Sequence, residues 1–266
     1  MQNYRLTTDK FIEHAAKWSP QREIVWAEQG IVQNRIGYAA MRDRSNRLSG
    51  ALKALGLLTG DRVGTLAWNT QHHLEIYYAT MSAGFVCHTL NSRFTVAHLA
   101  AIVNEAEDRV LAVASSLLSL LRELLPLCPT VEHVILLDGD VNELPILEGS
   151  KAQLWLHDTL LETLGAPFVW GEFDEETPAG LCYTSGTTGA PRGVLYSHRS
   201  NYLHTLRALQ ADSIGLTGND VAMIAVPMFH ANGWGLPFAT PAVGAKLVLP
   251  GRHADGASLA TLMRDE

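Results

Sequence analysis

Apolar positions along the chain recur with two periods. Residues 8–18, 38–55, 70–83, 95–106 and 115–125 carry the three-to-four-residue spacing of amphipathic or buried helices. Between them, residues 62–68, 85–89, 110–114 and 131–137 are short apolar runs of the length that suits buried strands. Gly56 stands where a helix would close, Gly60-Asp61 reads as a turn, and Thr95 reads as an N-cap. Strands and helices in alternation predict an α/β fold with mainly parallel sheets flanked by helices.

The regularity breaks between residues 138 and 174, where Gly, Pro and scattered acids lead to the polar approach GEFDEETPAG. This places a boundary between a first α/β subdomain, residues 1–175, and the start of a second, residues 176–266. The second half resumes with strand-like runs at 180–183 and 193–196, a helix from about His198 to Ala211, and further strands at 221–226 and 246–249. Ser197 is the expected cap of that helix. Ser258 is the expected cap of the last one. The stop at Arg264-Asp265-Glu266, without a closing element, predicts a truncated chain.

Composition narrows the function. With 20 Lys+Arg against 27 Asp+Glu the net charge is -7, which gives no support for nucleic-acid binding. No apolar run reaches the length of a membrane span, and the N-terminus lacks the apolar core of a secretory signal. Cys87, Cys128 and Cys182 are odd in number, widely spaced and without a CxxC pair, so neither a disulfide framework nor a zinc site is expected and a cytoplasmic location fits.

The chemistry concentrates in Tyr183-Thr184-Ser185-Gly186-Thr187-Thr188-Gly189-Ala190-Pro191-Arg192-Gly193-Val194. Residues 184–193 hold three glycines, four hydroxyls and one cation. Glycines let backbone N-H groups converge on an anion, hydroxyls add donors or metal ligands, and Arg192 supplies charge. The segment is a phosphate cradle by its chemistry, though it matches neither GxxxxGK[ST] nor GxGxxG. Composition alone also allows a solvated hairpin loop.

The order of these residues resembles the signature of the adenylate-forming superfamily, which includes acyl-CoA synthetases, luciferases and peptide-synthetase adenylation domains. The resemblance implies that the loop wraps the phosphates of ATP. Thr184 would help to hold Mg²⁺, while Ser185, Gly186, Thr187, Thr188 and Gly189 contact phosphate oxygens beside Arg192 and Gly193. Arg192 stands where the family usually has Lys, a planar fork in place of a point charge. Downstream, Val226-Pro227-Met228-Phe229-His230-Ala231-Asn232-Gly233-Trp234-Gly235 resembles the motif that lines the family's carboxylate pocket. His230 would lie near the reacting carboxylate as the catalytic candidate. Ala231, Asn232, Gly233 and Trp234 would form the pocket, with Trp234 as a gate. Without the upstream loop, His230 reads rather as a core histidine and Trp234 as a packing aromatic; beside that loop the functional reading is favoured.

No Asp or Glu occurs between residues 221 and 254. An amino-acid substrate would need a carboxylate for its ammonium, so a plain organic acid is expected. The implied function is the N-terminal part of an ATP-dependent acyl-CoA ligase that uses ATP, Mg²⁺ and CoA, with a fatty acid of medium or long chain as substrate. The piece alone is expected to be inactive. A ligase for short, aryl or methylthio-alkanoic acids stays open, as does a non-catalytic binding or oligomerisation module. The resemblance also implies a homodimer. His72-His73 and Glu75 carry no third ligand at metal spacing and read as packing or surface residues, and His198 and His204 are not at i, i+4 spacing.

Overall fold

The computed structural model describes residues 4–139, 149–184 and 192–266. Its order is α1 (Asp9–Trp18), β1 (Glu23–Glu28), β2 (Ile31–Gly37), α2 (Tyr38–Ala54), β3 (Arg62–Leu66), α3 (Gln71–Ser82), β4 (Val86–Thr89), α4 (Val96–Ala106), β5 (Val110–Val113), α5 (Leu118–Leu124), β6 (His133–Leu136), β7 (Gln153–Leu156) and α6 (His157–Leu164). There follow β8 (Pro178–Thr184), β9 (Arg192–Ser197), α7 (His198–Ala208), β10 (Val221–Met223), α8 (Ala231–Trp234), α9 (Leu236–Val243), β11 (Lys246–Leu249) and α10 (Gly256–Asp265).

Two sheets form. The larger runs β7-β6-β5-β3-β4-β8-β9, parallel except for the antiparallel edge strand β9. The smaller runs β10-β11-β1-β2, with β2 antiparallel. This is the expected α/β class with mainly parallel sheets. Each sheet draws strands from both sides of the boundary expected after residue 175: β8 and β9 complete the larger one, and β1 joins β11 in the smaller.

Helix α3 lies at the centre, and every one of its residues except His72 is buried. A helix buried all round has no solvent face, so its polar groups need internal partners. Tyr77 donates to Met228 O, and Tyr78 donates to Pro237 O at 2.7 Å. From α2, Tyr38 donates to Ala245 O at 2.7 Å. Three buried phenols thus hold the carbonyls of the segment that carries the second motif.

The caps follow short polar side chains. Thr70, Thr95 and Ser197 each accept from the backbone N-H three residues on. At α10 the cap is Asp255, which accepts from Ala257 N and Ser258 N, and Ser258 lies inside the helix with its hydroxyl donating to Asp255. The expected cap at Ser258 is therefore corrected: a carboxylate three residues earlier reaches the same free N-H groups and favours the positive end of the helix. The single helix expected over residues 115–125 is instead a 3-10 turn, the short α5 and a second 3-10 turn containing Pro126. Proline has no N-H to continue the α ladder.

Candidate functional site

Strands β8 and β9 form an antiparallel pair in which Thr184 stands opposite Arg192 and Tyr183 opposite Gly193. Residues 185–191, with the expected phosphate ligands Ser185, Gly186, Thr187, Thr188 and Gly189, lie outside the described residues. What flanks them suits a phosphate site. Thr184 and Arg192 are both exposed where the two strands end, one offering a hard hydroxyl oxygen fit for Mg²⁺ and the other a cation. A Cβ on Gly193 would come within 3.1 Å of the Tyr183 ring, so glycine there lets the phenol lie across β9. Beneath Tyr183, the fully buried His88 Nδ1 lies 2.8 Å from Asp108 Oδ2. Burial pushes the Asp108 carboxyl up, and His88 opposes that shift.

The second motif adopts an uncommon backbone. Ala231, Asn232, Gly233, Trp234 and Gly235 have φ of 44°, 52°, 59°, 58° and 72°, a run of left-handed residues that includes all of α8. Outside glycine this costs about 1–2 kcal/mol per residue, least for Asn. Strain of this kind persists where surrounding contacts over-determine it. Here they do. Asn69 donates to Ile224 O at 2.7 Å and Val226 O at 2.9 Å, and accepts from Met228 N at 2.8 Å. Thr89 donates to Phe229 O at 3.2 Å. The Cys182 thiol donates to Asn232 Oδ1 at 3.6 Å, and a Cβ on Gly180 would lie 3.1 Å from Asn232 Nδ2.

One strand therefore serves both motifs. Gly180 and Cys182 of β8 seat Asn232, and two residues further, about 7 Å along the strand, stands Thr184, the first residue of the expected phosphate loop.

Beside this strand lies a cavity of about 700 Å³. Its walls are Ala231, Asn232, Trp234 and Gly235 on one side, and Asn201, His204 and Ala208 of α7 on the other. Among the described residues no carboxylate lines it. Trp234 is 59% exposed at the rim, so it is not a packing aromatic. His230 is exposed and not a core histidine; neither it nor the buried Gly233 lines the cavity. A Cβ on Gly235 would sit 2.8 Å from His204 Nδ1, so that wall needs glycine for contact as well as for conformation.

Sequence reasoning missed the α7 face and Asn69. The spacing of Asn201, His204 and Ala208 at i, i+3 and i+7 was a readable sign of one helix face. Nothing local marks Asn69, whose partners lie 155 to 159 residues away. His198 is structural: its Nδ1 accepts from Thr8 N at 3.3 Å, and burial, aided by Lys10, pushes its pKa down to about 3. His73 likewise packs, with ring nitrogens on Trp68 O and Thr65 Oγ1.

A strand pair that ends at Thr184 and Arg192 stands near a cavity that no carboxylate lines among the described residues. The chain belongs to the AMP-binding enzyme family, whose model matches residues 11–266. It is 42% identical over 267 residues to the 3-methylmercaptopropionyl-CoA ligase of Ruegeria lacuscaerulensis, covering 99% of this chain and 48% of that protein. It is 38% identical over 266 residues to the medium-chain-fatty-acid--CoA ligase of Ectopseudomonas oleovorans, covering 100% and 48%. The chain thus spans about half the length of the curated relatives it matches. Its fold is similar to that of a red-emitting luciferase from Phrixothrix hirtus, with a TM-score of 0.83 at 20% identity, covering 97% of this chain and 49% of that one. Among the described residues no helix is long and apolar enough to cross a membrane.

Proposed function

We propose that this chain supplies the phosphate loop and acid pocket of an ATP-dependent acyl-CoA ligase. The single observation that carries the reading is the arrangement on β8, which seats Asn232 of the acid pocket two residues before Thr184 of the phosphate loop. In the proposed reaction a carboxylate oxygen attacks the α-phosphorus of ATP, pyrophosphate leaves, and an acyl-adenylate remains. The thiol of CoA then attacks the acyl carbon and AMP departs. Arg192 and the loop hydroxyls stabilise the charge that grows on the leaving phosphates, and this lowers the barrier if they bind it better than they bind the ground state. Bound at Thr184, Mg²⁺ would supply further charge neutralisation. The left-handed turn orients the acid, with Trp234 at the cavity rim.

A fatty acid is the favoured substrate. A cavity of about 700 Å³ without a carboxylate accommodates an alkyl chain and offers no partner to an ammonium group. A short methylthio-alkanoic acid is the second reading, supported by the 42% identity to a 3-methylmercaptopropionyl-CoA ligase. The proposal places the protein in a reducing cytoplasm, as its three free, buried cysteines permit, and includes a homodimer. It also holds that the 266 residues alone bind phosphate and acid without completing turnover.

Acids of rising chain length, offered with ATP and CoA to the 266-residue chain and to a longer polypeptide that carries it, test these points by pyrophosphate release. Turnover in the longer form alone, rising from three-carbon to medium-chain acids, is expected. A maximum at three or four carbons would select the second reading. Pyrophosphate exchange by the 266 residues would overturn the assignment of inactivity.

A further inference from the structure

His72 is the one residue of α3 that escapes burial, and as a lone His-His-x-Glu run it had no metal partner within reach along the chain. The fold supplies one from residues 85 and 86 positions away. His157 and Asp158 open α6, where β7 ends, and bring a ring nitrogen and a carboxylate oxygen to His72 with all three ligand atoms within 4.8 Å of one another. The rings of His72 and His157 stand edge to face at 4.9 Å, backed by Trp26 against His72 at 5.6 Å. The sequence offers no third ligand at metal spacing beside His72 and His73; the fold brings two candidates from α6 to His72.

We propose that His72, His157 and Asp158 bind a borderline divalent cation of the zinc class. Two imidazoles and a carboxylate are the donors such ions select, and hard ions such as Mg²⁺ prefer all-oxygen sites. Three observations support the site. The fully buried His157 ring presents Nδ1 to Asp158 Oδ1 at 3.2 Å and Nε2 to Glu75 Oε2 at 3.1 Å, the latter outside hydrogen-bond geometry among the described residues. Glu75 and Asp158 bring two negative charges against the single positive charge of Arg44, which binds Glu75 Oε1 at 2.7 Å and Asp158 Oδ1 at 2.6 Å. A second positive charge at this cluster, a proton on His157 or a bound cation, would balance the second carboxylate. Finally, the ligands border a cavity of about 300 Å³, at the carboxyl ends of β6 and β7, with room for a water in the remaining coordination position.

Binding would tie the start of α3 to the β7-α6 junction. Because α3 carries Tyr77 and Tyr78, the ion would stiffen the support of the acid pocket from a site separate from the phosphate loop. Cobalt(II) is the probe, since its visible bands report low-coordinate nitrogen and oxygen ligation. The intact chain is expected to bind one Co²⁺, to release it to Zn²⁺, and to melt at higher temperature with Zn²⁺ present. His72→Gln and Asp158→Asn, each checked for fold by circular dichroism, should weaken binding by at least about 10-fold, the loss typical even of outer partners of a metal site. His253→Gln, which alters the separate His253-Glu28 pair, should leave it unchanged. Absence of stoichiometric binding in the wild type overturns the proposal, as does equal affinity in both His72→Gln and Asp158→Asn.

Discussion

The thiol of Cys182 donates to the side-chain oxygen of Asn232 at 3.6 Å, across fifty residues of chain. That contact ties the left-handed turn of the second motif to the strand that ends at Thr184. Its consequences can be measured.

Asn232→Ala removes both the partner of Cys182 and the non-glycine residue type that best tolerates φ of 52°. A loss smaller than the full left-handed penalty of about 1–2 kcal/mol is expected from the backbone preference, since Asn already carries part of it. Urea denaturation should show it, together with weaker acid binding. Unchanged stability would mean that the turn relaxes without cost.

Gly235→Ala meets two obstacles, a φ of 72° and a Cβ 2.8 Å from His204 Nδ1. The double variant with His204→Ala relieves only the contact. The single variant should therefore lose more stability than the double shows relative to His204→Ala, leaving about 1–2 kcal/mol of backbone cost in the pair. Equal losses in both backgrounds would assign the whole effect to the backbone.

Acid should destabilise the fold through His198. Burial and Lys10 lower its folded-state pKa to about 3, against about 6.5 for the free imidazole, so the unfolded chain takes up the proton first. Stability present above pH 6.5 is then lost as pH falls through the interval toward 3, at about 1.4 kcal/mol per pH unit for one proton. His198→Asn should remove about one proton from the slope of unfolding free energy against pH. A slope identical to that of the wild type would exclude this histidine as the source.

Arg192→Ala, made in a longer polypeptide with ligase activity, should lower ATP-dependent pyrophosphate release by about 10-fold or more, with Arg192→Lys retaining most of it. Full activity in the alanine variant would remove Arg192 from the phosphate site.

Much of the architecture was legible in the chain. Helices α1 to α4 and strands β3 to β6 follow from apolar period and caps, because each buries a continuous stripe that period alone reveals. The hairpin of β1 and β2 was not read, because β2 is largely exposed and its polar Gln33, Asn34 and Arg35 mask any strand period. Strand β7 and α6 were hidden for a different reason: four and eight residues, set in a Gly- and Pro-rich stretch, are too short to display a period. The order Thr184 to Gly193 was visible because its chemistry is contiguous, and so was the absence of acids around Trp234.

The sequence by itself determined which residues make the loop, the neutral character of the pocket segment and the α/β alternation, since each depends on neighbours along the chain. Tertiary structure alone decided that Asn69 pins residues 224–228, that α7 walls the cavity, and that His72 meets His157 and Asp158. Those contacts join residues brought together only when the two sheets enclose α3, and no local propensity encodes a partner 85 or 155 positions away.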